Sequence, residues 1–250
     1  MTAVQESPRG GVIAATVFTL IGLAILIGLG AWQLERKTWK ENLIATMTER
    51  LDAAPRDLPP RANWSGLIQD RDEYRRVRFS AEFLTGEEAL VYASGSAVRP
   101  DVKGPGYFVF APARLADGSI VVVDRGFVPP DRKDASARAQ GTPHGSVDIV
   151  GVMRWPEQRG LFTPADDLKT NVWYLRDPAA MAQAKKWGEI APYYIDQEAP
   201  VPAGGWPKPG KLVVHLPNNH LQYAITWFGL ALGLAGVYAV WLAGRLRRRA

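Results

Sequence analysis

A short junction near the C-terminus decides how the rest of the chain is arranged, and it reads LPNNHLQYAITWF over residues 216–228. Its proline and two asparagines end one structure and start another, because proline interrupts regular structure and asparagine is a favoured helix N-cap. His220 follows at once, and an uncharged run begins at Leu221 and ends only at Arg245. The junction therefore predicts a polar, potentially metal-binding side chain at the mouth of a membrane helix.

Two apolar segments are each long enough to cross a bilayer. Residues 12–34 carry no charge, and residues 221–244 are likewise uncharged. At about 1.5 Å per residue, such runs span a hydrocarbon core of roughly 30 Å. A cleaved signal peptide is the alternative for the first run, but its apolar core is typically only about 7–15 residues long. We therefore predict transmembrane helices at residues 12–34 and 220–244.

The charges beside these spans predict their orientation. Four arginines follow the second span, which places that end in the cytoplasm; they are Arg245, Arg247, Arg248 and Arg249. The basic residues after the first span are interleaved with acids and lead into a long segment, and long segments translocate largely regardless of charge. We expect residues 1–11 and the basic tail 245–250 to be cytoplasmic, and residues 35–219 to form a periplasmic domain.

The short segments outside the spans carry further expectations. Eleven residues before the first span leave no visible organelle transit peptide, which favours the inner membrane of a bacterium. Six residues after Gly244 leave no cytoplasmic output domain, so a receptor kinase is not expected. Two spans also enclose no transport pathway.

The residues between the spans predict a β-rich domain. Short extended runs separated by turn signals favour an antiparallel barrel or sandwich over a parallel α/β sheet. The clearest signal is a hairpin that pairs residues 107–110 with 120–123 around the Asp117-Gly118 turn. One short helix is expected at residues 178–186, and the first membrane helix is expected to continue until Pro55. The other predicted strands cover residues 74–79, 89–92, 148–153, 172–175, 193–196 and 211–216.

Composition and missing motifs exclude several classes of function. The chain has no cysteine, which removes disulfides, thiolate metal sites and cysteine nucleophiles. None of the patterns G-x-S-x-G, H-E-x-x-H, Walker A or G-x-G-x-x-G occurs, so we expect no enzyme, and a membrane-anchored hydrolase is the rejected alternative. The net charge is +5. Since the densest basic cluster adjoins the second span, we expect no nucleic-acid partner.

Of the three histidines, His220 is the best placed to bind a ligand. His144 lies in a polar loop, and His215 lies in the predicted strand at 211–216. His215 and His220 are five residues apart with a proline between them, so one helical face cannot present both to zinc, which also wants four ligands. His220 is either an axial haem ligand or a helix-end histidine within an interfacial aromatic belt.

A helical wheel at about 100° per residue divides the second span into two faces. The side that carries His220 also carries Tyr223, Trp227, Ala231, Leu234 and Tyr238. The opposite side carries Gly229, Gly233 and Gly236. Because a G-x-x-x-G pattern allows close helix contact, we expect the glycine face to pack against Ala24-x-x-x-Gly28 of the first span. The face of His220 is then left for lipid, a partner protein or a flat aromatic cofactor.

Several segments resemble a known family. They are GAWQLERKTWK at 30–40, GPGY at 104–107 with VDRGFVP at 123–129, NVWY at 171–174 after Gly151, Arg154 and Glu157, and NNHLQY at 218–223. Over nearly the whole chain they are similar to the surfeit-locus (Surf/Shy) family of cytochrome oxidase assembly factors. Asp124 stands where that family usually has Asn, and Phe127 where Trp is usual.

The resemblance implies a two-span membrane protein that assists the maturation of aa3-type haem–copper oxidases. It implies a haem a-binding chaperone that hands its haem to subunit I, with haem a synthase and membrane lipid as further partners. His220 matches the histidine usually proposed as the axial ligand of the haem iron. A scaffold that holds no cofactor and stabilises an oxidase assembly intermediate is the alternative, and self-association is left open.

A physical interpretation of the remaining site residues fits beside this resemblance. A farnesylated haem is too apolar for water and needs a carrier at the level of the membrane. Tyr223 and Trp227 are expected to stack on the porphyrin. Arg36 or Arg125 is expected to pair with the propionates through charge-assisted hydrogen bonds. For Arg125, a structural role in a demanding Arg-Gly turn is the alternative.

Overall fold

The computed structural model describes residues 8–96, 99–214 and 216–248, and the chain divides into two compact units. One unit comprises Met1–Ala45 with Leu216–Ala250, and the other comprises Thr46–His215. Helices α1 (Pro8–Asp52) and α4 (His220–Arg247) are both long and apolar enough to cross a membrane. The chain is therefore a membrane protein with two candidate spans.

Helix α1 continues well beyond its apolar part. It ends at Asp52, three residues before Pro55, which confirms the predicted extension. Its 45 residues correspond to about 68 Å at the standard helical rise, roughly twice the thickness of a hydrocarbon core. The polar second half of α1 therefore extends outside the apolar stretch as a continuous helix.

The face of α4 that carries His220 packs against α1, so the expected glycine contact is wrong. Ala224 and Ala231 of this face are buried. A Cβ atom added at any of the three glycines on the opposite face would meet no described atom within 4 Å; these are Gly229, Gly233 and Gly236. Alanine is small enough to allow a close approach, and this face also offers polar side chains that bond across the pair.

Glycines do allow a close approach between the helices, but they belong to α1. A Cβ atom on Gly30 would lie 2.6 Å from Cε1 of Phe228, and one on Gly22 would lie 3.0 Å from Cδ2 of Leu234. Thr16 also hydrogen-bonds to Tyr238 across the pair. Interhelical hydrogen bonds meet no competing water in lipid, which favours the polar face over the glycine face as the contact.

The Thr46–His215 unit is built on one eight-stranded sheet with the order β1-β2-β6-β8-β5-β4-β3-β7. An additional pairing of β2 with β4 closes five of these strands into a barrel. Three pairs, β1–β2, β3–β7 and β5–β8, are parallel, and the others are antiparallel. The strands are β1 (Arg56–Asp57), β2 (Arg76–Phe83), β3 (Ala89–Ala93), β4 (Gly106–Arg114), β5 (Ile120–Val128), β6 (Ser146–Arg154), β7 (Val172–Trp173) and β8 (Ile190–Ala199).

This architecture confirms the predicted fold class, a β-rich domain flanked by two membrane helices. Of the two forms considered, the structure takes the barrel. Short helices accompany it, namely α2 (Gln69–Asp72) and α3 (Pro178–Lys185), with 3₁₀ turns elsewhere. The barrel is mixed rather than purely antiparallel, because β5 and β8 run in the same direction.

Side chains alternate between the barrel interior and an outer layer, as the two-residue period of a strand requires. Val77, Val121 and Ile149 point into the interior, and Trp64 packs edge-on against Tyr193 with ring centroids 5.9 Å apart. Phe110 and other residues of β4 and β5 form the outer layer with α3. Because β5 is covered on both sides, all of its residues are buried.

The hairpin formed by β4 and β5 confirms the clearest sequence signal, although each strand is longer than predicted. Gly118 has a φ of +82°, which a turn residue without a Cβ adopts at little cost. The Ser119 N–H donates to Asp117 Oδ1 at 2.9 Å. The predicted helix at 178–186 is also confirmed, and the Asp177 carboxylate caps it by accepting from the Ala180 N–H at 3.1 Å.

The strand predicted at residues 211–216 is wrong for its described part, residues 211–214 and 216, which belong to no strand. Leu212 is buried with Leu51 and Val152, and Val214 packs against the same cluster. Burial therefore alternates along this segment although it pairs with no strand. The backbone instead pairs earlier, where Phe127 and Lys208 exchange N–H to O bonds of 3.0 and 2.8 Å. His215 lies outside the described residues.

Two carboxyl groups meet in the buried layer, where Asp124 and Asp196 occupy paired positions of β5 and β8. Asp124 is 2% exposed and accepts the Gly126 N–H at 2.9 Å, while Asp196 accepts Arg154 Nη1 at 3.2 Å. Burial, and then the neighbouring Asp196 charge, raises the pKa of Asp124 well above its ordinary value. The fold therefore favours a neutral carboxyl at this position.

We predict that Asp124→Asn removes a pH-dependent loss of stability. Because the folded pKa of Asp124 is raised, its contribution is present at low pH and is lost as the pH rises through the folded pKa. An amide has no such proton to lose, so above the folded pKa the stability of the variant relative to the wild type should rise by roughly 1 kcal/mol for each unit of the pKa shift. Thermal unfolding of the full chain in detergent over a pH series measures this.

The exposed Asp131→Asn is the matched control and should follow the wild-type pH profile. An identical loss of stability with rising pH in Asp124→Asn and in the wild type would contradict the prediction.

Candidate functional site

The candidate site lies where α1 and α4 meet near the start of α4. On α1, the residues of the contact face recur at spacings of three and four, so they line one side of the helix. This side carries a buried glycine followed by half-buried polar residues, namely Gly30, Gln33, Lys37 and Lys40. The motif that resembled the exit of the family's first helix is therefore the surface that receives α4.

His220 is oriented by a hydrogen bond to Gln33. Its Nδ1 lies 2.7 Å from Oε1 of Gln33, and the histidine is half-buried. Because an amide oxygen only accepts, Nδ1 carries the proton of the neutral imidazole, and Nε2 keeps its lone pair. Metal-binding histidines are held in this way, with one ring nitrogen donating to an oxygen while the other binds the metal.

The residues just before His220 are also hydrogen-bonded to α1. Lys40 donates from Nζ to the backbone oxygen of Pro217. Asn219 is the N-cap residue of α4, and its carbonyl accepts the Tyr223 N–H at 3.2 Å. Two polar contacts on one face of α1 therefore determine where α4 begins and which way His220 points.

Tyr223 and Trp227 share the helix with His220 but have different surroundings. Trp227 is half-buried on the face that contacts α1, whereas Tyr223 is 56% exposed. With spacings of three and seven residues from His220, both lie within about 60° of it on the helix. The exposed Tyr223 ring is thus the more accessible aromatic surface beside His220.

Arg36 is exposed beside this face and pairs with no carboxylate among the described residues. Its guanidinium carbon lies 3.8 Å from the ring centroid of Trp39, a cation–π contact that orients the side chain without using its hydrogen-bond donors. Lys37 differs, because it pairs with Glu41 at 2.8 Å. Arg36 follows Gln33 by three residues, so the two share a side of α1.

Arg125 belongs to the barrel unit and is engaged by it. It is 6% exposed, and it donates from Nη1 to Glu88 at 3.1 Å and from Nη2 to the Gly141 carbonyl at 2.6 Å. Its neighbour Gly126 has a φ of +117°, and a Cβ there would lie 2.2 Å from the Lys208 carbonyl oxygen. These contacts support the structural role for the Arg-Gly turn.

The remaining candidates contribute little to a metal site. His144 is exposed in its loop. Within the described ranges, no three or more histidine, aspartate or glutamate side chains gather closely enough to hold a metal ion. A haem iron needs only one axial side chain from the protein, so His220 alone is enough as the axial ligand.

Sequence reasoning missed Gln33 as a partner of His220. The available signal was its position as a polar residue at the end of an otherwise apolar span, where such residues usually bond to one another. A single sequence gives no pairing between residues 187 positions apart, so only the packing of α1 against α4 identifies the contact.

Two apolar helices, a β-barrel domain between them in sequence, and an oriented histidine at the mouth of the second helix define a membrane-anchored barrel protein. A family profile described as "SURF1 family" matches residues 20–232. The chain belongs to this family, and the resemblance inferred from its motifs is confirmed.

Several relatives share most of their length with this chain. A "SURF1-like protein" of Monosiga brevicollis is 35% identical over 97% of this chain and 90% of its own length. "Surfeit locus protein 1" of Rattus norvegicus is 34% identical over 92% of this chain and 76% of its own length. The protein of the same name from Takifugu rubripes is 32% identical, with shares of 92% and 97%.

We predict that Gln33 determines the tautomer of His220. In ¹⁵N-histidine NMR spectra of the full chain in detergent, neutral His220 should be protonated at Nδ1. In Gln33→Leu the acceptor is lost, and the proton should redistribute towards Nε2. With three histidines in the chain, His220→Ala assigns the signal.

The matched control is Gln222→Leu, which removes an exposed amide two residues after His220. It should leave the spectrum of His220 unchanged. A wild-type signal protonated at Nε2 would contradict the assignment.

Proposed function

We propose that this chain assists the assembly of an aa3-type haem–copper oxidase by holding haem a through His220 and helping to deliver it to subunit I. The observation that carries the proposal is the hydrogen bond from His220 Nδ1 to Gln33, which leaves Nε2 available to an iron. Family membership supports the oxidase, because the surfeit-locus family that the motifs resemble consists of cytochrome oxidase assembly factors.

The residues around His220 suit an amphipathic porphyrin. The exposed ring of Tyr223 and the edge of Trp227 offer aromatic contact, and Arg36 offers unpaired guanidinium donors for a propionate. The apolar surfaces of the helices suit a farnesyl chain in lipid. Bound haem would supply the redox-active iron, while the protein supplies one ligand, one cation and an apolar surface. Arg125 is left out of this proposal because its donors serve the barrel.

The placement that we propose is the inner membrane of a bacterium, with the barrel in the periplasm and both termini in the cytoplasm. The arginines after the apolar part of α4 support this orientation, since positive charges are retained on the cytoplasmic side. Haem a synthase is the proposed donor of the haem. We propose no catalytic role for the chain.

The glycine face of α4 suits subunit I as a partner. A Cβ at Gly229 or Gly233 would meet no described atom, so a further membrane helix has room to approach. Self-association through this face is the alternative use of the same surface.

The test is the absorption spectrum of the full chain, purified in detergent from cells that make haem a. We expect a Soret band in the wild type and its loss in His220→Ala. In Gln33→Leu we expect an affinity about tenfold weaker, the usual order of magnitude for a missing partner of a metal ligand. Since His144 is exposed in a loop, His144→Ala is the matched control and should keep the band.

A band of full strength in His220→Ala would remove the ligand assignment. The alternative function, a cofactor-free scaffold, predicts a different result. The chain would then co-purify with subunit I in the wild type and in His220→Ala alike, with no haem at equal stoichiometry.

A further inference from the structure

A cleft in the barrel unit gathers arginines from several separate segments. It has a volume of about 350 Å³ and is formed where the end of α1 meets α2 and the start of β2. This volume is in the range of small-molecule sites. Its lining includes Glu49 and five arginines, namely Arg50, Arg56, Arg71, Arg75 and Arg76.

The charges in this cleft do not balance. Glu49 is the one carboxylate of the described lining. Asp72 lies behind it and pairs with both Arg71 and Arg75 at 2.8 Å, and Glu198 pairs with Arg76 at 2.7 Å. Five guanidinium groups therefore face three carboxylates, which leaves an excess of two positive charges.

The arginines also differ in how many donors they have left. Arg76 has a partner at each of its three nitrogens, because it bonds Glu198 through Nε and Nη2 and the Ala53 carbonyl through Nη1. Arg71 bonds Asp72 through Nε and Nη2 and the Gly66 carbonyl through Nη2, which leaves only its Nη1 for a ligand.

Three arginines keep at least two guanidinium nitrogens each for a ligand. Arg50 uses only Nη1, on the Glu73 carbonyl at 3.0 Å, and Arg75 uses only Nη2, on Asp72. The exposed Arg56 side chain makes no hydrogen bond or ion pair with any residue in the described ranges.

Two clefts elsewhere in the barrel unit carry arginines that are compensated. In a cleft of about 310 Å³, Arg125 and Arg138 face Glu87 and Glu88. In a cleft of about 760 Å³, the two arginines of the lining are paired with carboxylates, Arg154 with Glu73 and Asp196, and Arg176 with Glu157. A neighbouring cleft of about 580 Å³ shares Arg71, Asp72 and Arg75 with the cleft at the end of α1 and so belongs to the same cationic region. Like charges gathered this way favour an anionic occupant.

We propose that this cleft binds an anion that bears a phosphate group, with Arg50, Arg56 and Arg75 as its ligands. The planar guanidinium matches two phosphate oxygens at once, which makes arginine the preferred phosphate-binding side chain. A phosphate monoester carries about −1.5 to −2 charges near pH 7, which offsets the excess of two, whereas the phosphodiester of a lipid headgroup carries about −1 and offsets half of it. The phosphate belongs either to a small soluble compound or to a lipid headgroup. The proposal is independent of haem binding.

The test uses the full chain in two kinds of lipid nanodisc at 150 mM NaCl. In the first, made of phosphatidylcholine alone, inorganic phosphate is titrated by calorimetry. In the second, which contains phosphatidylglycerol, native mass spectrometry measures how much of that lipid is retained. We expect saturable binding in at least one arm, weakened about tenfold by Arg56→Gln.

A second variant and a control make the test specific. Ala54→Glu adds a carboxylate to the exposed lining of the same cleft and should weaken binding at least as strongly. Arg114→Gln removes one exposed arginine outside the cleft and should bind as the wild type does. Near-UV circular dichroism should be unchanged in all three, because these side chains are exposed.

The outcomes separate the sources of the phosphate. Saturable binding in the first arm identifies a soluble phosphate compound, retention in the second identifies a lipid headgroup, and binding in both means that the two share the cleft. Binding in neither arm, or an equal effect of Arg56→Gln and Arg114→Gln, overturns the proposal.

Discussion

The membrane unit depends on the hydrogen bond between Gln33 and His220. Both side chains are polar at the end of an apolar segment, where leaving them unpaired is costly. Their bond therefore selects the face of α4 that meets α1 and orients the imidazole at the same time. Gly30 makes the contact possible, because any side chain there would overlap Phe228. One motif on α1 thus supplies the space and the partner that the junction on α4 requires.

The barrel unit has a different constraint, the burial of β5 on both faces. A strand covered on both sides must be apolar nearly throughout, and Asp124 is its buried acid. The neighbouring Asp196 and the surrounding burial favour the neutral acid, which an amide mimics without a proton to lose. The surfeit-locus family usually has Asn at this position, and the buried surroundings of Asp124 give a physical reason for it. Arg125 also serves the fold, since it and the buried Arg138 both pair with the half-buried Glu88.

Two kinds of arginine therefore occur in this protein, and sequence position does not distinguish them. Arg125 is buried and donates to Glu88 and to the Gly141 carbonyl, so it serves the fold. Arg36 and Arg56 are exposed and keep their donors, so they are the ones offered to ligands. The sequence suggested Arg36 or Arg125 as the partner of the propionates, with a structural role in the Arg-Gly turn as the alternative for Arg125. Burial and hydrogen-bond partners separate them, and both follow from tertiary packing.

The sequence by itself determined the two spans, the β-rich class of the domain, the hairpin around Asp117-Gly118, the short helix after Asp177 and the start of the second long helix at His220. Each of these depends on local periodicity, caps or turns, which residues close together in the sequence determine. Only the tertiary structure decided that the His220 face packs against α1, that β2 and β4 close a barrel, that residues 211–214 form no strand, and that Gln33 and His220 meet. These depend on which segments far apart in the sequence come together, and a single sequence does not indicate such pairings.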